Sequence, residues 1–378
     1  MDGNGYRAGG YRVAERAADG ADDVLTVAFV VPGQGPSGIY GPSCRASGEL
    51  SAAEINEAGG ILSRRVELHA VDGGRSPGAV ADEVERLTAT GRADAVVGWH
   101  TSAVRRSVAD RLRGSVPYVY TAVYEGGERA PGVYLTGETP GAQLRPALHW
   151  MRTEAGVRSW TVVGSDYIWP RASARAAAHY ADELGLHVDR EIFVPLGTRD
   201  FSDVVAGLRD GAASGVPGGV LMFLLGSDAV AFNREFARAG LAERMVRLSP
   251  LMDENMLMGS APEDNVGVHS VAGYFETLGS PCGLDFERRY VDRLGAGAPA
   301  LTSPGESCFE GLTLLARLAE TAGSLDPEVV AAASGQVPGY QSPRGAVRLH
   351  DRHLVQQIYL ARAGGLQFDV LTDLDVQV

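Results

Sequence analysis

The sequence contains no lysine; all 34 of its formally cationic residues are arginine. Without an ε-amine there is no Schiff-base nucleophile, no pyridoxal-phosphate anchor and no P-loop cation, because each of those chemistries uses the amine itself. Cysteine is nearly as scarce. Cys44, Cys282 and Cys308 are too few and too widely spaced for a zinc ribbon or a disulfide framework. Cys282 and Cys308 either pair in an oxidising compartment or stay as free thiols, and free thiols are the expectation. Long apolar runs are missing as well. The longest, residues 24–31, is strand-sized and far short of the roughly 18 to 20 residues that a membrane-spanning helix needs, so no membrane insertion is expected. A net charge of −13, with arginines scattered among acids, excludes a basic phosphate-binding face and direct nucleic-acid recognition.

At 378 residues the chain exceeds what one hydrophobic core usually serves, and two lobes of about 150 to 190 residues follow. Residues 1–23 are acidic and rich in Gly and Ala, without the apolar centre of a secretory signal. They read as a disordered leader. The expected location is therefore cytoplasmic, or periplasmic if a signal peptide has been removed.

From Val24 short apolar runs alternate with helical patterns, the rhythm of βαβ units on a parallel sheet. Strands are predicted at 25–31, 65–71, 95–98, 116–120 and 133–136, and a second cycle of similar rhythm starts at Gly141. Two later helices, 284–294 and 304–322, have no strands of their own and need the first sheet to cover their apolar faces. A final hairpin pairs 345–350 with 356–362. The fold class is α/β, with two Rossmann-like lobes, parallel central sheets and a hinge of three crossovers near residues 138, 274 and 342. The lobes then comprise residues 24–138 with 275–341, and residues 139–274 with 342–378.

Local motifs for catalysis are sparse. Gly33-Gln34-Gly35-Pro36-Ser37-Gly38 follows the first strand and Asp72 ends the second, but the third glycine stands well before the helix and the acid lies almost twice as far along as the usual ~20 residues of a dinucleotide fingerprint. A loop at the mouth of a cleft is the better reading. His350 and His353 fall in a turn and read as surface residues rather than metal ligands, so neither a metal nor a cofactor is expected. An acid/base set of His100, Asp166, Tyr167 and Asp253 in a cleft is the enzyme alternative, beside a nicotinamide-dependent oxidoreductase.

Polar and aromatic residues cluster where strands end, which is where open parallel sheets bind ligands. Trp99-His100-Thr101-Ser102 follows the third strand, Thr121-Ala122-Val123-Tyr124-Glu125-Gly126 the fourth, and Ser165-Asp166-Tyr167-Ile168-Trp169-Pro170 the first strand of the second cycle. Ser102 serves either as a ligand donor or as a plain helix cap. Together the clusters predict one aromatic-walled pocket with a few polar anchors.

These residues resemble the type I periplasmic-binding-protein family, in the branch of the amide receptor of bacterial amidase operons and the urea and short-chain-amide binding proteins. The resemblance runs from Val24 onward and is carried by Glu54-Ile55-Asn56-Glu57-Ala58-Gly59-Gly60-Ile61, Ser102, Tyr120, Tyr124-Glu125-Gly126, Gly164-Ser165-Asp166-Tyr167 with Pro170-Arg171, and Gly273-Tyr274-Phe275. It implies that Ser102, the main chain at Thr121 and Ala122, and Tyr167 hold the polar head of a ligand. His100, Tyr120, Val123 and Trp169 would wall it, with Thr101 and Tyr124 also among the ligand-binding residues. Leu225, Met252 and Tyr274 would close it, and Asp253 or Glu254 would meet an α-ammonium. Departures from the amide receptor at His100, Ala122, Val123 and Met252 imply a ligand larger or less polar than acetamide. The function implied is a non-enzymatic receptor for a small amide, urea or amino-acid-like molecule. It acts as a cytoplasmic sensor with a regulatory protein partner or, alternatively, as the binding component of an ABC importer with its permease, and a homodimer is compatible with either.

Overall fold

The structure, a computed structural model, describes residues 23–211 and 218–374. The leader expected over residues 1–23 lies outside the described residues except for Asp23. Among the described residues the strands form two sheets. In the first, β1 (Val24–Val31), β2 (Arg65–Asp72), β3 (Ala95–Gly98), β4 (Tyr118–Tyr120) and β5 (Val133–Leu135) lie parallel in the order β2-β1-β3-β4-β5. The second sets β6 (Ser159–Ser165), β7 (His187–Val194), β8 (Gly218–Phe223), β9 (Met245–Ser249) and β10 (Val268–Ala272) parallel in the order β7-β6-β8-β9-β10. In both, the strand order reverses beside the first strand of the lobe, the switch point at which adjacent loops diverge and leave a crevice. The central strands are almost wholly apolar because helices cover both faces.

Those helices are α1 (Gly41–Glu57), α2 (Pro77–Ala89) and α3 (Ser102–Leu112) in the first lobe, and α4 (Pro140–Thr153), α5 (Ile168–Glu183), α6 (Ser202–Gly211), α7 (Ser227–Arg238) and α8 (Glu254–Met258) in the second. The chain then returns. Helices α9 (Pro281–Leu294), α10 (Ser303–Ala322) and α11 (Pro327–Ala333) belong to the first lobe, as the unpartnered helical patterns required. Proline at the first position of α2, α4, α9 and α11 presets the backbone where no intrahelical N–H is needed. α10 lies so close on its sheet that a Cβ on Gly311 would sit 2.4 Å from Thr121 Cγ2 and 3.0 Å from Val97 Cγ1.

The carboxy-terminal strands differ from the expectation. β11 (Tyr340–Ser342), β12 (Gly345–His350) and β13 (His353–Val355) extend the first sheet, and only β14 (Ile358–Ala363) and β15 (Phe368–Leu374) join the second. The third crossing is therefore Gln356-Gln357 rather than residue 342. The hairpin partner of residues 345–350 is β13, because Asp351 and Arg352 both take positive φ, 44° and 68°, and close a two-residue turn. β14 pairs instead with β10 and β15. Both sheets are mixed, mostly parallel with antiparallel additions.

Candidate functional site between the lobes

Strand ends from both sheets face one another, and the lobes touch across the cleft. The Pro36–Tyr40 turn after β1 reaches the second lobe, where the Tyr40 hydroxyl accepts the Gly226 N–H at 2.9 Å and donates to Met256 Sδ at 3.6 Å. Asn255 Nδ2 donates to Ser43 Oγ at 3.1 Å. One enclosed space between the lobes, beside Trp99 and Asp253, is about 10 Å³ for the centre of a water-sized sphere, room for about one water molecule, while a wider crevice of about 1050 Å³ opens between Tyr124 and Glu125 of the first lobe and Ala176 and Tyr180 of the second. Admission of a larger guest to the enclosed space therefore requires the lobes to part, and binding energy is converted into reclosure.

Trp99 and Val123 from the first lobe and Met252 and Asp253 from the second line this space, with Glu138 at the first crossing and Ser307 on α10. Asp253 is the N-cap of α8: its Oδ1 accepts from Met256 N at 3.1 Å, while the buried Oδ2 has no hydrogen-bond partner among the described residues. Burial pushes its carboxyl up to about 7, partly offset by the Met256 hydrogen bond. Next to it, burial and the Asp253 charge raise Glu254 further, and Glu254 Oε1 takes the Glu276 N–H at 2.9 Å.

Other predicted residues are committed to internal partners. His100 is buried, with its ring bonded to the Tyr118 hydroxyl at 2.9 Å and pulled down to about 3 by burial. Tyr120 donates to the His100 carbonyl at 2.8 Å. Thr101, not Ser102, caps α3, taking Val104 N at 3.4 Å. Ser102 Oγ donates to Glu125 Oε2 at 2.7 Å, and the Glu125 carboxylate also receives Arg105 and Arg106 at 2.8 and 2.7 Å. Burial raises the Glu125 carboxyl, but the Arg105 charge and the Ser102 bond outweigh it and leave it below the usual carboxylate range. Arg105 lies 5.1 Å from the ring centres of both Tyr120 and Tyr124.

Thr121 Oγ1 meets Cys308 Sγ at 3.8 Å, and the Ala122 carbonyl is packed against Gly137. Tyr124 bonds His353, which is therefore half-buried structure rather than a solvated surface residue. Tyr167 stands half-buried at the start of α5, its ring 6.4 Å from that of Trp169. Trp169 is core, edge-on to Phe223 at 5.9 Å. Leu225 is buried with its N–H on Ser165 Oγ at 3.3 Å. Tyr274 sits against Phe286, 5.8 Å between rings, in a separate apolar cluster. Of the acid/base alternative, Asp166 is exposed and paired with Arg171 at 2.6 Å, so the four groups do not assemble. Asp72 is spent on the Gly33 and Gly74 N–H groups and the Gln34 amide, which fixes the glycine loop rather than a ribose. All three cysteines are free thiols. Among the described residues no three potential metal ligands gather, and no helix is long and apolar enough to cross a membrane.

Tyr40 and Glu138 were not predicted, and Trp99 was named only as part of its strand-end cluster. Tyr40 and Trp99 stack with ring centres 4.4 Å apart at the ends of β1 and β3, neighbouring strands whose adjacency the sequence does not spell out. Glu138 belongs to the hinge. Its Oε1 accepts the Gly273 N–H at 2.8 Å and faces Arg344 Nη1 at 3.3 Å, and the fully buried Arg344 also bonds Glu306, Ser307 and Gln356. One guanidinium thus touches the first and third crossings directly and reaches the second through Glu138.

Two α/β lobes, a triple crossing and a cavity between opposed strand ends define a bilobal receptor with the type I periplasmic-binding-protein fold. The chain belongs to the periplasmic binding protein family, whose model matches residues 24–366. Among curated proteins it is 26% identical over 351 residues to Leu/Ile/Val-binding protein homolog 6 of Brucella melitensis, covering 89% of this chain and 87% of that one, and a Brucella abortus counterpart matches equally. A periplasmic binding protein from Burkholderia mallei superposes with a TM-score of 0.82 at 16% identity, covering 94% and 95% of the two chains. A solute-binding protein from Rhodopseudomonas palustris in complex with benzoate gives 0.79 at 20%, covering 93% and 96%. The substrate-binding protein of a Streptococcus pneumoniae branched-chain amino acid transporter, in complex with isoleucine, gives 0.79 at 14%, covering 93% and 99%.

Proposed function

We propose that this protein is the solute-binding component of an ABC importer, acting outside the cytoplasm, and that it closes without turnover on one small organic molecule whose head group donates to Asp253. The observation that carries the reading is the buried Asp253 Oδ2, unpartnered on the inter-lobe cavity. A buried acceptor without a donor costs free energy, so a ligand donor there contributes differential affinity for the closed form. Family membership and relatives named for Leu/Ile/Val binding support the importer role over the cytoplasmic sensor expected from the sequence. Val123, Met252, Trp99 and Tyr167 are the proposed walls, and the permease is the proposed partner.

The test is calorimetry against amino acids, amides, ureas, amines and aromatic acids, with NMR of each hit. Saturable one-to-one binding that Asp253→Ala weakens at least tenfold, with the ligand recovered unchanged, supports the reading. Consumption of the ligand, or binding indifferent to Asp253, overturns it.

A further inference from the structure

We infer that the ligand carries a positive charge and no carboxylate: a primary amine or an amidinium rather than an amino acid or an organic acid. This rests on the receptor reading above and assigns its substrate class. Two independent features of the cleft point the same way.

The first is the charge around the cavity. Among the described residues no arginine or histidine lines it. The acid Glu138 is already compensated by Arg344 and the Gly273 N–H. Asp253 has no such partner on Oδ2. Trp99, which pairs with Tyr40 at a tilt, lines the cavity on the opposing lobe, a ring of the kind that attracts an alkylammonium. The amino end of α10, a natural anion site, is largely spent: Thr302 Oγ1 takes Gly305 N at 3.1 Å, the Thr302 carbonyl takes Glu306 N at 2.8 Å, and Pro304 has no N–H. An anion entering here loses its water and meets an acid; a cation finds one.

The second is Glu125. Ser102, Arg105 and Arg106, three donors near the start of α3 that could meet a carboxylate, all converge on the Glu125 carboxylate of the same lobe at 2.7 to 2.8 Å. The protein therefore supplies from its own chain the carboxylate that an acidic ligand would bring. Arg105 is further held by Glu128 at 2.9 Å. With those donors filled, α3 offers a free acid no open side-chain donor among these three.

Matched probes separate the charges. Isoamylamine, L-leucine and 4-methylpentanoate share one alkyl chain with amine only, both groups, or carboxylate only; benzamidine and benzoate do the same on an aromatic ring. Calorimetry is expected to give isoamylamine or benzamidine at least tenfold tighter binding than its carboxylate-bearing counterparts. Asp253→Asn, which keeps the α8 cap because Asn caps as well as Asp, is expected to erase that preference. Glu125→Ala provides the second arm: with the internal carboxylate removed, added benzoate is expected to raise the melting temperature of the variant and not of the parent. Preference of the parent protein for leucine, 4-methylpentanoate or benzoate overturns the charge assignment and leaves the receptor reading standing. Failure of all five probes to bind overturns the charge assignment too, and saturable binding of a neutral amide or urea in the same experiment then shows that the receptor reading survives it.

Discussion

The Tyr40 hydroxyl on the first lobe accepts the Gly226 N–H on the second at 2.9 Å while its ring stacks on Trp99. One side chain therefore joins the lobes and supports Trp99, which lines the cavity. The bond exists only when the cleft is shut, so its free energy appears in ligand affinity rather than in the stability of either lobe. Tyr40→Phe keeps the stack and removes the acceptor. A typical net hydrogen bond of about 0.5 to 1.5 kcal/mol predicts roughly 2- to 13-fold weaker binding by calorimetry. The ligand-free melting temperature should move little.

Gly226 offers a harsher version of the same test. Its φ is 49° with ψ at −113°, and a Cβ there would stand 2.1 Å from the Pro36 carbonyl oxygen across the cleft. Gly226→Ala therefore obstructs closure and adds a local backbone cost of order 1 to 3 kcal/mol. Affinity is expected to fall by more than tenfold. Small-angle scattering of the variant should show no compaction at ligand concentrations that compact the parent protein.

Tyr167 stands half-buried at the start of α5, at a strand end of the second lobe. Tyr167→Ala is expected to abolish ligand-induced stabilisation in a thermal-shift assay with little change in the ligand-free transition. A large loss in the ligand-free protein would assign the ring to packing instead.

The alternation of strands and helices revealed both lobes because hydrophobic period is a local property, readable in β1, β3 and β8 as continuous apolar runs. The position of the third crossing was not local. Whether residues 353–355 or 358–363 answer β12 depends on Asp351 and Arg352 adopting positive φ, which neither residue type requires. At the site, strand-end position drew attention to Val123, Met252 and Asp253, which line the small space between the lobes. It also drew in His100, Thr101 and Trp169, whose side chains turn to partners inside their own lobe. Strand-end position identifies a segment, but not which of two successive side chains faces the gap. Arg344 carries no motif at all, since its partners lie at residues 138, 306, 307 and 356 and only folding brings them together.

That guanidinium gives a stability prediction. Arg344→Ala would leave Glu138 and Glu306 buried without their shared cation, a change that typically costs about 3 to 5 kcal/mol. Arg344→Lys should recover only part of it, because one ammonium cannot reproduce the fork that meets Glu306, Ser307, Gln356 and Glu138 together. Denaturant titration of the three proteins, with the slope compared for each, measures the difference.

Asp253 couples stability and binding to pH in opposite directions. Its carboxyl is raised from 3.8 to about 7 by burial, so between those values the folded chain holds a proton that the unfolded chain has released. Stability then falls as pH rises through that interval, by up to about 1.4 kcal/mol per pH unit for one proton, and this contribution levels off above about 7. Burial also raises Glu254 and Asp228, so the parent slope is composite, and the difference between parent and Asp253→Asn isolates the Asp253 share. A cationic ligand instead favours the ionised carboxylate. Its affinity is expected to rise with pH up to about 7 and to stay flat in Asp253→Asn. Calorimetry at pH 5, 6, 7 and 8 in buffers of different ionisation enthalpy would detect the proton released on binding below pH 7; an affinity that falls over that range would assign Asp253 the role of a neutral donor.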